Sequence, residues 1–553
     1  MTTPTAHSVA AVVGTTLASL GVQQVFTLLG SGNFVVTNAL RDAGAVVVSA
    51  RHETAAVTMA DAYARVTGAV GVVTVHQGPG LTNAVTGLAE AVKSRTPLLL
   101  LAADVAGAAV RSNFRIDQAG LVTAVGAGVE RLHGPQSAVA DAVRAYRRAV
   151  VERRPVVLLM PLDVQAAECA ASTVPPLTAV RPVRPAVGAV QRLADAIEKA
   201  SRPVVLAGRG AVLSGAGELL EELADVTGAL LATSAVAAGL FAGNPWEVGI
   251  SGGFASPVGA ELLVDADLVL AFGASLTMWT TRGGRLLGAG ATVAQIDVDA
   301  QALGAHHPVD LAVLGDVSAT ARDLLTELAS RGHAPAHWRA EPLRLRIAAG
   351  RWSDLSYVDA GTDDRIDPRT LSRLLDDLLP EQRTLVVDSG HFMGWAPMYL
   401  RVPRDSGFVF TQGFQSVGLG LATAVGAAIA RPDRFTVAAV GDGGLLMSLG
   451  ELETIARLGL RLLVVVYDDG AYGAEVHHFG PDGHPVDLVQ FPEVDLAAVA
   501  RGAGLEAVVV RRAADLRAVS AWLAAGARVP LLVHALVVPT VVAEWLEDAF
   551  RGH

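Results

Sequence analysis

Two aspartates, Asp442 and Asp469, stand just past the ends of two apolar runs in FTVAAVGDGGLLMSLGELETIARLGLRLLVVVYDDGAYGAE, residues 435–475. The first run stops at Val440 before Gly441-Asp442-Gly443. Leu449, Leu452, Ile455 and Leu458 then recur at helical spacing, and LLVVV reads as a second buried strand. A strand–helix–strand unit of this length makes the strands parallel with a right-handed crossover. Both carboxyl ends therefore face one edge of the sheet, where open α/β sheets bind ligands. Two hard oxygen ligands there, beside glycine amides and a helix N-terminus, suit Mg²⁺ holding a diphosphate. The competing reading of Asp468-Asp469-Gly470 is a plain turn.

The elements that must position these groups recur along the chain. The first third alternates strands and helices: VVVSA, RHETAAVTMADAYARVTG, GVVTV, the glycine turn HQGPG, LTNAVTGLAEAVKS, PLLLLAAD and RPVVLLMPLDV. This is a doubly wound α/β pattern. A proline-broken linker runs from about 170 to 188. A second α/β unit opens with RPVVLAGRGA and continues through DADLVLAFGASL and ATVAQIDVDA. A second linker is expected from about 333 to 366. The third unit opens with TLSRLLDDLLP and TLVVDSG, contains the aspartates, and ends with VPLLVHALVV and a short helix. The first and third units share a layout, as two related domains flanking a middle one would.

Composition excludes several classes. The 553 residues are 51% hydrophobic and 18% charged, which permits large cores and argues against disorder. A formal charge of −11 without a basic cluster argues against nucleic-acid binding. The single cysteine, Cys169, rules out an internal disulfide and fits a reducing cytoplasm. Mean hydropathy is +0.42, high enough to raise the question of membrane spans. The uncharged stretch 406–430 holds Gln412, Gln415 and several glycines, which reads as a buried loop and helix rather than a span, and the N-terminus lacks the positive start of a secretory signal.

Three separated stretches carry a resemblance. RHETAAVTMADAYARVTG, HQGPGLTNAVTGLAEAVKSRTPLLLLA and GDGGLLMSLGELETIARLGLRLLVVVYDDGAYG occur in order at compatible spacing. Together they resemble the thiamine-diphosphate enzymes of the acetolactate synthase type over nearly the whole chain. The resemblance implies three doubly wound α/β domains: a pyrimidine-binding domain at 1–170, a central domain at 186–333, and a diphosphate-binding domain at 365–540. It also implies thiamine diphosphate and Mg²⁺ as cofactors. The active site would lie between the first domain of one subunit and the third of another, hence a homodimer or homotetramer. Family members often bind FAD in the central domain. The one feature here that points to a nucleotide is the Gly208-Arg209-Gly210 turn, and α/β domains use such turns equally to pack helix on strand.

By resemblance, Glu53 is the carboxylate that bears on the aminopyrimidine ring and favours the tautomer able to take a carbon-bound proton. Asp442, Asp469 and the backbone carbonyl of Ala471 would hold the metal, with Asp469 where the family usually has Asn. Gly390, His391, Gln415, Gly441, Gly443, Gly444 and Tyr472 fall where the family contacts the cofactor. Val417 replaces the methionine that wedges the cofactor into its bent shape. His76 stands where benzoylformate decarboxylases carry an active-site histidine; the alternative is a satisfied core histidine. Gln77 beside it could hold a carboxylate or carbonyl. Glu475 sits where pyruvate-type decarboxylases carry a catalytic glutamate, and His477 and His478 where acetolactate synthases place substrate-facing groups; a solvated loop is the alternative.

One departure affects the namesake activity. The family's central Arg-Phe-Asp-Asp-Arg run, whose last arginine faces the substrate channel, is replaced by Ser275-Leu276-Thr277-Met278-Trp279. The usual hold on a second 2-oxo acid is lost, and Trp279 favours an apolar partner. The expected activity is decarboxylation of a 2-oxo acid with carboligation to a second carbonyl. A non-ligating decarboxylase, a carbon–carbon lyase and a non-catalytic cofactor-binding homologue are the alternatives.

Overall fold

Apolar runs such as Leu98–Asp104, Pro155–Pro161, Phe435–Gly441 and Leu462–Asp468 are buried along their whole length, as strands covered by helices on both faces must be. The computed structural model describes residues 7–170, 173–178, 180–404 and 407–546. Its strands form three six-stranded parallel sheets. A two-stranded antiparallel pairing of His7–Ser8 with Glu168–Cys169 closes the first unit. Among the described residues no helix is long and apolar enough to cross a membrane.

The sheet of the first unit runs Val46–Ser49, Gln24–Thr27, Gly71–Val75, Leu98–Asp104, Pro155–Pro161, Gly128–Arg131. That of the third runs Phe408–Phe410, Arg383–Val387, Phe435–Gly441, Leu462–Asp468, Leu531–Leu536, Glu506–Val510. In order of appearance within each unit both read second, first, third, fourth, sixth, fifth, so the likeness expected of these two units is present in their topology. The central sheet differs. It runs Glu247–Ile250, Leu230–Thr233, Pro203–Ala207, Leu268–Phe272, Thr292–Asp297, Leu311–Leu314, the order of a dinucleotide-binding sheet.

Two expectations need adjusting. The stretch 333–366 is not plain linker, because Glu341–Ala349 forms a helix in it. Pro342 sits in the first turn, where a missing N–H costs nothing. The short helix expected after the last strand does not begin before Leu546, the last described residue, which is helical; the residues that follow lie outside the described ones. Residues 1–6 of the first domain, 171, 172 and 179 of the first linker, and Ser406 of the uncharged stretch also lie outside them.

The first and third units meet through the helices Glu53–Thr67 and Gly420–Ala430. Gly420–Ala430 is mostly glycine and alanine and faces an alanine-rich stretch of Glu53–Thr67, and a Cβ added at Gly426 would lie 2.2 Å from the Met59 carbonyl oxygen. Backbone touches backbone there. Beside this contact the wholly buried Glu90 accepts from Arg65 Nη2 at 2.8 Å, Ser94 Oγ at 3.0 Å, and the Gly413 and Phe414 amides at 3.1 and 2.7 Å. Burial alone would raise the Glu90 pKa; Arg65 and the two amides outweigh it and hold the carboxyl below its ordinary value. Arg65 also donates to the Phe410 carbonyl at 3.0 Å and pairs with Asp61 at 2.5 Å. The loop 410–415 is thus anchored by a charge cluster of the first unit. Glu90→Ala leaves Arg65 short of a partner and two amides unsatisfied. It is expected to cost about 3–5 kcal/mol, read as a lowered urea midpoint, and Glu90→Gln is expected to recover part of the loss.

Candidate active site

In the third sheet the chain departs in opposite directions from the adjacent strands Arg383–Val387 and Phe435–Gly441, which opens a crevice at their carboxyl ends. Gly441, Asp442, Gly443 and Gly444 enter it from one strand, Asp388 to His391 from the other. The turn is closely walled. A Cβ at Gly443 would lie 2.7 Å from the Tyr472 ring and one at Gly444 2.6 Å from Asp388 Oδ2. Asp388 is fully buried and accepts from the amides of Ser389 (2.8 Å), Gly418 (3.1 Å) and Leu419 (3.2 Å). Burial pushes its pKa up to about 6 even so. It pins the loop that carries Gln415 and Val417, and Gln415 sits in the left-handed region at φ 62°, strain of the kind that collects at binding sites.

Three carboxylates crowd the same edge. Burial pushes Asp442 up to about 8, and the charges of Asp468 and Asp469 add to the shift. Asp468 is committed to the fold: His534 Nε2 lies 2.6 Å from its Oδ2, and the Gly470 amide donates to its Oδ1 at 3.0 Å. It supplies the plain turn that the sequence allowed, and leaves Asp469 at the mouth. Asp469 Oδ1 accepts the Ala471 amide at 3.2 Å, and its Oδ2 lies 3.7 Å from His391 Nδ1. His391 Nε2 accepts the Ala543 amide at 3.1 Å. That bond assigns the proton of the neutral ring to Nδ1, on the side of Asp469. The His477 ring packs on His391 with centroids 4.5 Å apart. Burial, then His391, lowers the His477 pKa, while a bond to the Pro539 backbone raises it. Among the described residues no group of three or more His, Cys, Asp or Glu side chains could hold a metal ion. Asp442 and Asp469 offer two carboxylates, and Ala471 offers only its backbone oxygen.

The first sheet has the equivalent crevice between Gln24–Thr27 and Gly71–Val75. His76 and Gln77 follow the second of these strands. The Gly32 amide donates to His76 Nδ1 at 3.1 Å, so the neutral ring carries its proton on Nε2. Burial lowers the His76 pKa against the opposing charge of Glu53, which favours that neutral form near pH 7. The loop folds onto the ring closely: a Cβ at Gly30 would lie 2.9 Å from His76 Cγ, and one at Gly32 2.0 Å from Gln77 Oε1. The Gln77 Oε1 is buried and has no hydrogen-bond partner among the described residues. Glu53, 7% exposed, begins its helix and accepts from Asn83 Nδ2 at 3.1 Å on Oε2.

Gly390, His391, Gln415, Val417, Gly441, Asp442, Gly443, Gly444, Asp469, Ala471, Tyr472 and Glu475 all line one cavity. Glu53, His76, Gln77, His477 and His478 do not line it. At about 2850 Å³ it is several times larger than the usual ~300–1,000 Å³ pocket, and is better described as a groove shared by three domains. The Gly208-Arg209-Gly210 turn borders it but serves packing. A Cβ at Gly208 would meet the Gly273 carbonyl at 2.2 Å, and the Gly210 amide donates to that carbonyl at 3.0 Å. Arg209 turns away to the Ser94 carbonyl and Thr96 Oγ1.

Three supporting residues escaped the sequence reading. Asp388 ends a strand run much as Asp442 does, and that signal was available. Asn83 and Asn33 left none. Asn33 is buried, accepts the Gly30 amide at 2.8 Å, and donates to the Leu28 carbonyl and to Thr27 and Thr74 Oγ1. It thereby shapes the loop over His76.

Comparison with known proteins bears on all three units. Family models described as thiamine pyrophosphate enzyme N-terminal TPP binding domain, central domain and C-terminal TPP binding domain match residues 7–121, 190–324 and 388–535. A Pseudomonas aeruginosa protein described as "Probable 2-ketoarginine decarboxylase" is 31% identical over 92% of this chain and 90% of its own. The catabolic acetolactate synthase of Raoultella terrigena is 29% identical over 88% of each chain. The sulfoacetaldehyde acetyltransferase of Castellaniella defragrans is 27% identical over 91% of this chain and 88% of its own.

The crowded carboxylates have a measurable sign. A folded-state pKa of about 8 for Asp442, against an ordinary 3.8, means that its protonated form suits the fold. The associated stability is complete below about pH 4 and is lost as pH rises through 8. Without added cation, the melting temperature of the wild type is therefore expected to fall more steeply than that of Asp442→Asn between pH 5 and pH 8.5. Mg²⁺ is expected to raise the wild-type melting temperature more at pH 8.5 than at pH 6, where it must displace a proton. An equal effect at both pH values would contradict the assignment.

Proposed function

Because the chain belongs to the thiamine pyrophosphate enzymes of the acetolactate synthase type, we propose that it decarboxylates a 2-oxo acid and joins the remaining acyl carbon to a second carbonyl. The observation that carries this reading is the pair of crevices on sheets of identical strand order, one lined by the crowded aspartates and the other by His76 and Gln77 near Glu53. What thiamine diphosphate supplies when bound is a carbon nucleophile and a sink for the electron pair left by carbon dioxide.

The residues present fit that cofactor with Mg²⁺. Asp442 and Asp469 are crowded carboxylates whose mutual repulsion a divalent cation relieves. In this reading they would hold Mg²⁺ with the Ala471 carbonyl, and the metal would supply positive charge for a diphosphate. Gly390, His391, Gln415, Gly441, Gly443, Gly444 and Tyr472 enclose it, and Val417 gives apolar support. Glu53 would hold the proton exchanged with the aminopyrimidine; Asn83 fixes its Oε2 and leaves Oε1 for that task. His76 presents its Nε2–H to the substrate carboxylate, and Gln77 helps to orient it. Glu475 delivers the proton where carbon dioxide has left. His477 and His478 follow it on the same short helix, Gly473–Phe479, and His477 steadies the loop through His391.

Glu53 and the aspartates do not share one cavity within the chain, so the catalytic unit in this reading is a homodimer or a homotetramer of such dimers. Exposed apolar side chains support it on both halves: Phe34 and Val35 beside the His76 loop, Leu446 and Met447 beside Asp442. A cytoplasmic setting agrees with the lone buried Cys169. The packing role of Gly208 and Gly210 gives FAD no support. His76 and Glu475 favour simple decarboxylation as the second reading. A panel of 2-oxo acids with Mg²⁺ and thiamine diphosphate, with and without an aldehyde, separates the two: hydroxy-ketone product supports carboligation, and aldehyde alone supports the decarboxylase.

Two substitutions test the roles. Glu53→Gln is expected to bind the cofactor yet lose about 10²–10⁴-fold in turnover. Asp469→Ala is expected to lose Mg²⁺-dependent cofactor retention after dialysis. Full retention would remove Asp469 from the metal set.

A further inference from the structure

Beyond the aspartates the same cavity is walled by Phe254, Met278, Trp279, Phe410, Trp545 and Leu546. These come from the central domain, the third domain and the C-terminal segment, and none carries a charge. Trp545 packs against Trp279 with ring centroids 6.4 Å apart and against Phe254 at 6.3 Å; Phe254 meets Phe410 edge-on at 5.8 Å. The rings form one continuous cluster in which Phe254, Phe410 and Trp545 are buried and Trp279 is the half-buried member, and it reaches the turn His391–Gly394, where a Cβ at Gly394 would lie 2.6 Å from Trp545 Cδ1.

The backbone that presents Trp279 is costly. The short helix Met278–Thr281 is bracketed by two non-glycine residues in the left-handed region, the buried Leu276 at φ 53° and Arg282 at φ 49°. Gly252, at φ 113°, lets the neighbouring loop approach so closely that a Cβ there would lie 2.2 Å from the Trp279 carbonyl oxygen. Such strain persists only where surrounding structure holds it, and it gathers at functional sites. The arginine that closes this short helix is committed elsewhere. Arg282 donates to the carbonyls of Gly252 and Ala255 at 3.0 and 3.1 Å, which flank Phe254. The one cation of this segment thus builds the aromatic wall and does not line the cavity.

We propose that the second substrate is an uncharged aldehyde bearing an aromatic or branched apolar group, and that Trp279, with Trp545 and Phe254, selects it over a second 2-oxo acid. The inference rests on the functional reading above and supplies its acceptor class. A carboxylate placed against this wall would lose hydration and gain no partner, whereas an aromatic ring gains edge or offset contacts with the tryptophans. The net reaction breaks the bond between the oxo carbon and the carboxylate of the donor, and carbon dioxide leaves. A bond forms between that oxo carbon and the aldehyde carbon, and the aldehyde oxygen takes one proton from solvent. No oxidant or reductant is consumed.

The test is a competition on the Mg²⁺- and thiamine-diphosphate-loaded protein. Pyruvate serves as both donor and rival acceptor, benzaldehyde is the apolar acceptor, and products are normalised to carbon dioxide released by the same variant. The wild type is expected to favour the aryl hydroxy-ketone over the hydroxy acid by at least tenfold. Trp279→Arg is expected to shift that ratio at least tenfold toward the acid, and Trp279→Phe to keep it. A wild type that prefers pyruvate as acceptor, or a ratio unmoved by Trp279→Arg, overturns the proposal. Saturation-transfer NMR with benzaldehyde gives a readout that needs no turnover. Contact erased by Trp279→Arg and kept by Trp279→Phe supports the wall, and contact indifferent to both overturns it. Absence of carbon dioxide release from every 2-oxo acid would count against the functional reading alone.

Discussion

Like charges held together out of water set the terms for this molecule. Parallel strands deliver their carboxyl ends to one edge, and the third sheet ends adjacent strands in Asp442 and in Asp468-Asp469. Burial and mutual repulsion make the ionised state of Asp442 unfavourable. The fold offsets one of the three carboxylates itself, through His534 at 2.6 Å from Asp468. Asp442 and Asp469 lie at a mouth ringed by glycine backbone, with His391 Nδ1 3.7 Å from Asp469 Oδ2. A proton on Asp442 relieves the repulsion below about pH 8, and in the proposed function a bound cation does so instead.

The rest of the architecture supports that edge. The first sheet repeats the topology of the third but follows Gly71–Val75 with His76 and Gln77 where the third has Asp442, while its next strand ends in Asp104 as the counterpart strand ends in Asp468. One strand order therefore serves two chemical tasks, and the difference lies in the few residues past each strand end. The central sheet has a different order, and its glycine turn is closed by contact with Gly273. Its main contribution to the groove is the strained segment around Trp279.

Much of this could be read from sequence because the informative features are local. Apolar runs, their glycine terminators and the helical spacing between them fix strands and helices, and once the strands are parallel the positions of Asp442, Asp469 and His76 at sheet edges follow. What could not be read acts across long separations through the backbone. Glu90 reaches amides more than 320 residues away, and nothing near Glu90 marks it as other than a helical acid. Asn33 holds a loop through carbonyls and hydroxyls that only the folded chain assembles. The helix at Glu341–Ala349 was hidden because its sequence has almost no apolar face, and periodicity is the main signal that a single sequence offers.

The backbone contact between Gly426 and Met59 bears on how such a chain can drift. Where two helices meet through side chains, each exchange alters the fit and its neighbours must follow. Here the spacing is fixed by main-chain atoms, which every sequence supplies alike. Around that point the facing positions need only be small, so alanine, serine and glycine can replace one another with little cost to the spacing. Position 426 itself has no such freedom, since a single methyl group would press on a carbonyl oxygen. The junction of the first and third domains thus concentrates its demand on one residue and leaves the rest of the helix pair open to divergence.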